Sequence, residues 1–371
     1  MQNNLTCTGF HPLSKTIQSN PSGQSNPSAR FCHHEPDLND RAILVTGGTG
    51  SFGRHFIRTV LTRYRPRRLV VLSRDELKQF EMQQEPLFQH PALRFFIGDV
   101  RDRDRLERAF SEIDIVVHAA AMKQVPTAEY NPFECIHTNV LGAENVVQAA
   151  LRARVSQVLA LSTDKAANPV NLYGASKLAS DKIFVAANHL SGHIGTRFAV
   201  VRYGNVVGSR GSVIPFFQKL IANGATSLPI TDARMSRFWI TLQEGVDFVL
   251  SSLEMMRGGE IFVPKIPSMN IIELARAMAP QLPHHIVGIR PGEKLHEVMV
   301  TEDDSRTTVE LHDRYVIEPA FALWCDYVSH RNQPDAKPVA DSFRYASDTN
   351  PQWLDHQSLQ HMLLESSLLH G

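Results

Sequence analysis

Thr163, Asp164, Lys165, Tyr173 and Lys177 fall within one short stretch of the chain, and each has a side chain able to act on a polar substrate. Tyr173 and Lys177 stand four apart, so a helix presents both on one face. A phenol with a reference pKa of about 10 is a poor base at neutrality, and a nearby ammonium shifts it toward phenolate. Such a phenolate can take the proton of a sugar or alcohol hydroxyl, while Thr163 hydrogen-bonds the developing carbonyl. Oxidation at that carbon acidifies the hydrogen on its neighbour. Asp164 can then protonate a leaving hydroxyl and a neutral Lys165 can remove the carbon-bound proton. The second role needs a lysine pKa well below its reference of about 10.4. Asp164 and Lys165 can equally be a structural ion pair in a loop, and spacing alone leaves both readings open.

Continuous apolar runs at Ala42–Thr46, Leu69–Leu72, Phe95–Ile97, Ile115–Val117, Val158–Leu161 and Phe198–Val201 predict six strands. Helical patterns are expected at 52–64, 76–85, 103–110, 132–153 and 174–190. Buried strands alternating with helices predict an α/β fold, a Rossmann-like doubly wound parallel sheet. A smaller C-terminal substrate-binding part follows. The expected organisation is a mobile extension over 1–40, a dinucleotide-binding and catalytic core over 41–207, a mainly substrate-binding region over 208–320, and a C-terminal extension over 321–371. The first is rich in Ser, Asn, Pro and Gln, which cannot bury enough apolar surface to offset ordering. The last can wrap onto the body or mediate assembly. In the region after 208, helices are expected at 214–223, 242–256 and 270–279 and a strand at 259–263.

Gly47, Gly50 and Gly53 follow the first strand and open a helix, the setting of a dinucleotide-binding turn. The first glycine permits the tight turn, the second lets backbone approach a pyrophosphate, and the third lets helix and sheet pack. With a nicotinamide cofactor in place, hydride can leave the carbon whose hydroxyl Tyr173 deprotonates. After the second strand, Asp75 suits an adenosine ribose hydroxyl and Arg74 a ribose 2'-phosphate. The balance favours NADP, with NAD as the alternative. Asp99 can accept from adenine or cap a helix, and the small residues Ala119, Ala120 and Ala121 leave room for the cofactor.

Lys plus Arg number 38 and Asp plus Glu also 38, so composition offers no case for nucleic-acid binding. Four scattered cysteines form no CxxC pair, which fits a reducing cytoplasm. No stretch reaches the roughly 18 apolar residues of a membrane span, and the first residues carry no signal-peptide pattern. No compact His or Cys spacing supports a metal site.

Gly47–Gly53, Ser73–Leu77, Ala120–Pro126, Ser162–Ala166 and Tyr173–Lys177 together resemble an extended short-chain dehydrogenase/reductase. In particular they are similar to the inverting UDP-N-acetylglucosamine 4,6-dehydratases that open pseudaminic acid biosynthesis. Arg202–Asn205, Gly208–Pro215, Arg237–Thr241 and Arg290–His296 continue the resemblance over about 41–320. It implies a redox-neutral cycle on UDP-N-acetylglucosamine. Tyr173, supported by Lys177 and Thr163, deprotonates the C4 hydroxyl. Lys165 takes the C5 proton, Asp164 assists loss of water from C6, and C5 is reprotonated from the other face. The implied cofactor contacts are Gly47, Gly50, Ser51, Phe52, Gly53, Arg54, Arg74, Asp75, Asp99, Val100, Ala119, Lys123, Thr138, Tyr173 and Lys177. The implied substrate contacts are Lys123, Thr163, Asn205, Arg210, Gly211, Ser212, Val213, Ile214, Pro215, Arg237, Arg290 and Glu293. A homo-oligomer without a membrane span is also implied. The competing readings are a UDP-N-acetylglucosamine 4-epimerase, a retaining 4,6-dehydratase, and a non-catalytic dinucleotide-sensing protein. Where Asp164–Lys165 stands, an Asp–Glu pair would be more typical of the retaining enzymes.

Overall fold

The computed structural model describes residues 30–209, 211–321 and 327–368, the last four by backbone alone. Residues 1–29, most of the expected extension, lie outside the described residues, as do Arg210 and 322–326.

Six strands follow the sequence closely: β1 Ala42–Thr46, β2 Arg68–Ser73, β3 Leu93–Ile97, β4 Ile115–His118, β5 Gln157–Thr163 and β6 Arg197–Tyr203. They pair in parallel in the order β3-β2-β1-β4-β5-β6. Every residue of β1 and β4 is buried, because helices cover both faces. The helices include α1 Ser51–Arg63, α2 Glu76–Gln83, α3 Arg103–Ala109, α4 Val125–Tyr130 and α5 Pro132–Ile136. A π-helical turn, His137–Leu141, then interrupts the continuous helix expected over 132–153, and α6 Gly142–Ala153 follows it. The interruption has a purpose in packing. It turns Asn139 inward, where its side-chain amide accepts from Met122 N at 2.8 Å and donates to Ser176 Oγ at 2.9 Å. The loop carrying Lys123 is thereby tied to α7 Leu172–Ser191.

The chain after 208 is shared between the sheet and a second region. The second region contains β7 Asn205–Val206, α8 Val213–Ala222, β8 Leu228–Ile230 and β9 Ser236–Ile240, whereas α9 Leu242–Met255 packs on α1 and the main core. β10 Ile261–Pro264 then returns to the main sheet, parallel to β6. β11 Ser268–Asn270 pairs antiparallel with β9, α10 Ile271–Met278 follows, and β12 His284–Ile286 pairs with β8. β13 Val298–Val300 precedes α11 Glu302–Ser305. β14 Thr308–Glu310 and β15 Arg314–Ile317 extend the main sheet antiparallel, and β16 Lys337–Pro338 closes that edge. The sheet is therefore mixed, not purely parallel. The antiparallel strands are too short to stand out as periodic runs.

The C-terminal segment wraps onto the body over its described residues. β17 Tyr345–Ala346 pairs with β13, and α12 His356–Leu368 places Leu359 and Met362 in the second core beside Trp239 and Leu274. Residues 30–38 are docked as well, although the composition predicts mobility up to 40. Phe31 and Leu38 are fully buried in the main core. The Phe31 ring meets Phe248 edge-on at 5.0 Å and lies under the Arg314 guanidinium. Burying one phenylalanine is worth roughly 1.5–3 kcal/mol, enough to hold a short polar segment down.

Candidate active site

The carboxyl ends of β1, β4 and β5 open onto a cleft of 1190 Å³ bounded on its far side by the second region. Gly47 turns the chain from β1 with a φ of +66°, and a Cβ there would sit 2.9 Å from the Ala120 backbone. That contact admits only glycine. Gly50 caps α1 without a side-chain hydrogen bond, so the first amides of the helix remain available to a pyrophosphate. These features fit a dinucleotide. Gly47, Gly50, Ser51, Phe52 and Gly53 line the cleft, and so do Val100, Ala119, Lys123 and Thr138. Arg54 does not: it pairs with Glu85 and faces the Phe88 ring, away from the cleft.

At the adenosine end, Asp75 caps α2 by accepting from Lys78 N at 3.0 Å. The Lys78 ammonium bonds it as well and, ahead of the other causes, holds its carboxyl below the usual range. Asp99 does not cap α3, a role taken by Asp102. It receives Arg101 at 2.7 Å and lies 3.6 Å from Arg74. Arg74 is thus flanked by two carboxylates.

The other wall carries the reactive cluster. Asn171 caps α7 by accepting from Gly174 N at 2.7 Å. Gly174 then packs so closely on the turn Asp164–Ala166 that a Cβ would lie 2.3 Å from Lys165 O. This contact sets Tyr173 beside Thr163 and Lys165. Tyr173 is pushed up to about 12 by burial, while the Lys165 charge and a hydrogen bond with Thr163 pull the other way. The sequence pointed to Lys177 as the cation acting on the phenol. In the structure it is Lys165, and the buried Lys177 ammonium donates to Leu161 O at 2.8 Å.

Asp164 and Lys165 do form an ion pair, Nζ to Oδ1 at 3.1 Å. Lys165 lines the cleft, whereas Asp164 is fully buried behind Thr163 and Lys165. Thr163 Oγ1 donates to the same Asp164 oxygen at 2.9 Å. Burial raises the Asp164 carboxyl above its ordinary value, with Lys165 opposing and Glu297 adding to the rise. For Lys165, burial favours the neutral amine, but the Asp164 and Glu297 charges outweigh it and raise its pKa. The depression expected for a resting base is absent. Sequence reasoning missed Glu297, which lies 3.3 Å from Lys165 Nζ, and Lys294, 3.5 Å from Glu297. Its signal was a charged residue opening the apolar run Val298-Met299-Val300.

Asn205, Gly211, Ser212, Val213, Pro215, Arg237, Arg290 and Glu293 also line the cleft. Ile214 instead turns into the second core, and Arg210 lies outside the described residues. Arg237 is heavily committed within the protein, donating to the carbonyls of Ser236, Lys294 and Leu295 at 2.7–3.1 Å. Arg290 is mostly exposed at the rim, 3.9 Å from Glu293.

A family model described as polysaccharide biosynthesis protein matches residues 43–319. The chain is 57% identical over 325 residues to the inverting UDP-N-acetylglucosamine 4,6-dehydratase of Campylobacter jejuni strain 81-176, covering 87% of this chain and 97% of that one. The chain belongs to this family of short-chain dehydrogenase/reductases. It is also 40% identical over 321 residues to a UDP-glucose 4-epimerase of Rickettsia canadensis, covering 79% of this chain and 92% of that one. Among solved structures it is similar to Pen from Bacillus thuringiensis, with a TM-score of 0.81, 35% identity and coverage of 89% and 99%. It is similar as well to a dTDP-glucose 4,6-dehydratase from Streptomyces venezuelae, with a TM-score of 0.60, 26% identity and coverage of 68% and 86%. That enzyme and a double mutant of it carry NAD. These two structures overturn the expectation of NADP. The physical reason lies in the Asp75 and Asp99 carboxylates, both of which feel the Arg74 charge and would repel a 2'-phosphate brought to it.

Proposed function

We propose that this chain is an inverting 4,6-dehydratase converting UDP-N-acetylglucosamine to UDP-2-acetamido-2,6-dideoxy-β-L-arabino-hex-4-ulose. The observation that carries the reading is the Lys165–Asp164 contact of 3.1 Å beside Tyr173 in the cofactor cleft. An oxidation needs only the tyrosine; an acid and an amine are what elimination adds.

NAD held in the cleft would accept hydride from C4 and return it to C6 once water has left, with a proton restored at C5, so that the cycle is redox-neutral. Tyr173 takes the C4 hydroxyl proton, with Thr163 and the Lys165 charge favouring its phenolate. The C4 ketone acidifies C5–H. Lys165 removes that proton, the electrons form the C5–C6 double bond, and the C6–O bond breaks. Asp164 is the proton store for the departing water. Thr163, which donates to Asp164 and lines the cleft, is the hydroxyl that relays it. The raised lysine pKa makes the ion pair the resting form, and the neutral amine arises only as the proton is passed on. Moving one proton from Lys165 to Asp164 along their hydrogen bond produces the neutral amine and the carboxylic acid together. Arg290 and Glu293 hold the UDP portion at the rim, and Asn205, Gly211, Ser212, Val213 and Pro215 hold the sugar side. The division of labour between 41–207 and 208–320 follows from this, with β10, β14 and β15 as the second stretch's contribution to the sheet.

No described helix is long and apolar enough to cross a membrane. A reducing cytoplasm fits the scattered cysteines, and the exposed Tyr130 and Phe133 offer a homo-oligomer an apolar face.

The product assay separates this reading from its nearest rival. Incubation with UDP-N-acetylglucosamine yields a 4-keto-6-deoxy sugar; a retained 6-hydroxymethyl group with C4 inversion would identify an epimerase. The cofactor assignment has its own test. Asp75→Ser keeps the α2 cap and removes the charge. It is expected to narrow the preference for NAD over NADP by about tenfold in a fluorescence titration, and an unchanged preference would remove Asp75 from that role.

A further inference from the structure

Lys165 lies between two carboxylates, yet elimination requires its proton to go to one of them. Asp164 is 3.1 Å away and Glu297 is 3.3 Å away. Distance alone does not choose between them, but their surroundings do. Asp164 Oδ1 receives Thr163 and Lys165, and Asp164 Oδ2 and Glu297 Oε2 are alike buried without a hydrogen-bond partner among the described residues, so the cations around each carboxylate are what differ. Glu297, 2% exposed, faces three cations: Lys165, Lys294 at 3.5 Å and the Arg237 guanidinium at 3.8 Å.

We infer that Glu297 is a positioning residue for the dehydration, the fixed counter-anion that holds Lys165 and leaves Asp164 as the carboxylate that takes its proton. This rests on the functional reading above. The backbone is built to keep Glu297 in place. Its N–H donates to Ser347 Oγ at 2.9 Å, and Ser347 N donates back to Glu297 O at 2.8 Å. Ser347 also contacts Ser236 Oγ at 2.8 Å, which meets His296 Nδ1 at 2.8 Å. The C-terminal segment thus supports the reactive cluster from behind. Burial works against the Glu297 charge, but Lys165, Arg237 and Lys294 outweigh it and hold its carboxyl below the ordinary range. Asp164 is shifted the opposite way. The proton therefore moves within the Asp164–Lys165 pair, and Glu297 stays anionic.

The pH consequence has a definite sign. Elimination requires one proton shared by Asp164 and Lys165: two leave no base, none leaves no acid. The Glu297 charge makes that pair bind protons more tightly, so its removal moves both limbs of the rate profile to lower pH. The other ionisable groups facing the pair are Tyr173 from α7, Arg237 from β9 and Lys294 from the preceding loop.

The test compares kcat and KM across pH for NAD-loaded wild type, E297Q and E297D, with cofactor content and thermal melting recorded for each. In E297Q the acid limb is expected to move down by about one pH unit and the plateau kcat to fall by up to about tenfold as Lys165 loses its fixed partner, with KM within about threefold. E297D keeps the charge at shorter reach, so its limb and kcat are expected between the two. It is the variant to read if E297Q does not fold: a lowered limb at constant KM supports the inference, and an unmoved profile overturns it. A folded E297Q with an unshifted limb, or with loss confined to KM or stability, also overturns it. Wild type making the 4-keto-6-deoxy sugar beside such an E297Q limits the failure to this inference. A wild type making none overturns the functional reading and the inference together.

Discussion

Lys165→Ala is expected to lose elimination by about 10²–10⁴-fold, the usual worth of a positioned acid–base group, while C4 oxidation falls by no more than about tenfold. The two steps separate because they use different atoms. Tyr173 remains to take the C4 hydroxyl proton, and only the Lys165 charge that favours its phenolate is lost. Two neighbouring amines are already engaged, since Lys177 is bonded to Leu161 O and Lys294 donates to Ala167 O at 2.6 Å. Single-turnover absorbance of reduced nicotinamide reads the oxidation, and release of the 4-keto-6-deoxy sugar reads the elimination. Removing the cation also leaves Asp164 and Glu297 facing each other. Lys165→Arg is the companion variant: it keeps the charge but cannot deprotonate in the protein. It is expected to hold the fold and oxidise without eliminating. Elimination at the wild-type rate in either variant contradicts the role of Lys165 as the C5 base.

Tyr173→Phe is expected to lower the whole cycle by about 10³-fold, because oxidation precedes everything else. The phenol sits in the wall with its pKa pushed up to about 12 by burial. Phenolate is therefore the minor form near neutrality, and wild-type oxidation should rise with pH as that form grows. The phenylalanine variant loses this rise along with the rate. The ring itself stays packed with Ala128 and Cys135, so melting should change little. Unaltered cofactor reduction in this variant would contradict the assignment of Tyr173.

The parts visible in the sequence were those with local signatures. The turn after β1 shows itself because glycine is needed where the backbone turns with positive φ against Ala120. Tyr173 and Lys177 show themselves through helical spacing. Charge balance within the site is a tertiary property and left no such mark. Lys165 looked in need of a lowered pKa, yet Asp164 and Glu297 raise it, and Glu297 arrives from a segment far along the chain. The same holds for Arg237, which read as a substrate ligand but spends its donors on the carbonyls around 294–295. Ile214 and Arg54 sit within motif runs, but their side chains leave the cleft for the second core and for Glu85. The antiparallel edge was hidden by strand length, since three or four residues carry too little periodicity to read.

The central claim is that an oxidised sugar loses water after Lys165 removes the C5 proton and C5 is then reprotonated on the opposite face. The direct measurement is nuclear magnetic resonance of the product formed from UDP-N-acetylglucosamine in deuterated water. The account predicts a 4-keto-6-deoxy sugar carrying solvent deuterium at C5 with inverted configuration there. A product with C5 retained, or with its original C5 hydrogen and an intact 6-hydroxymethyl group, would contradict it.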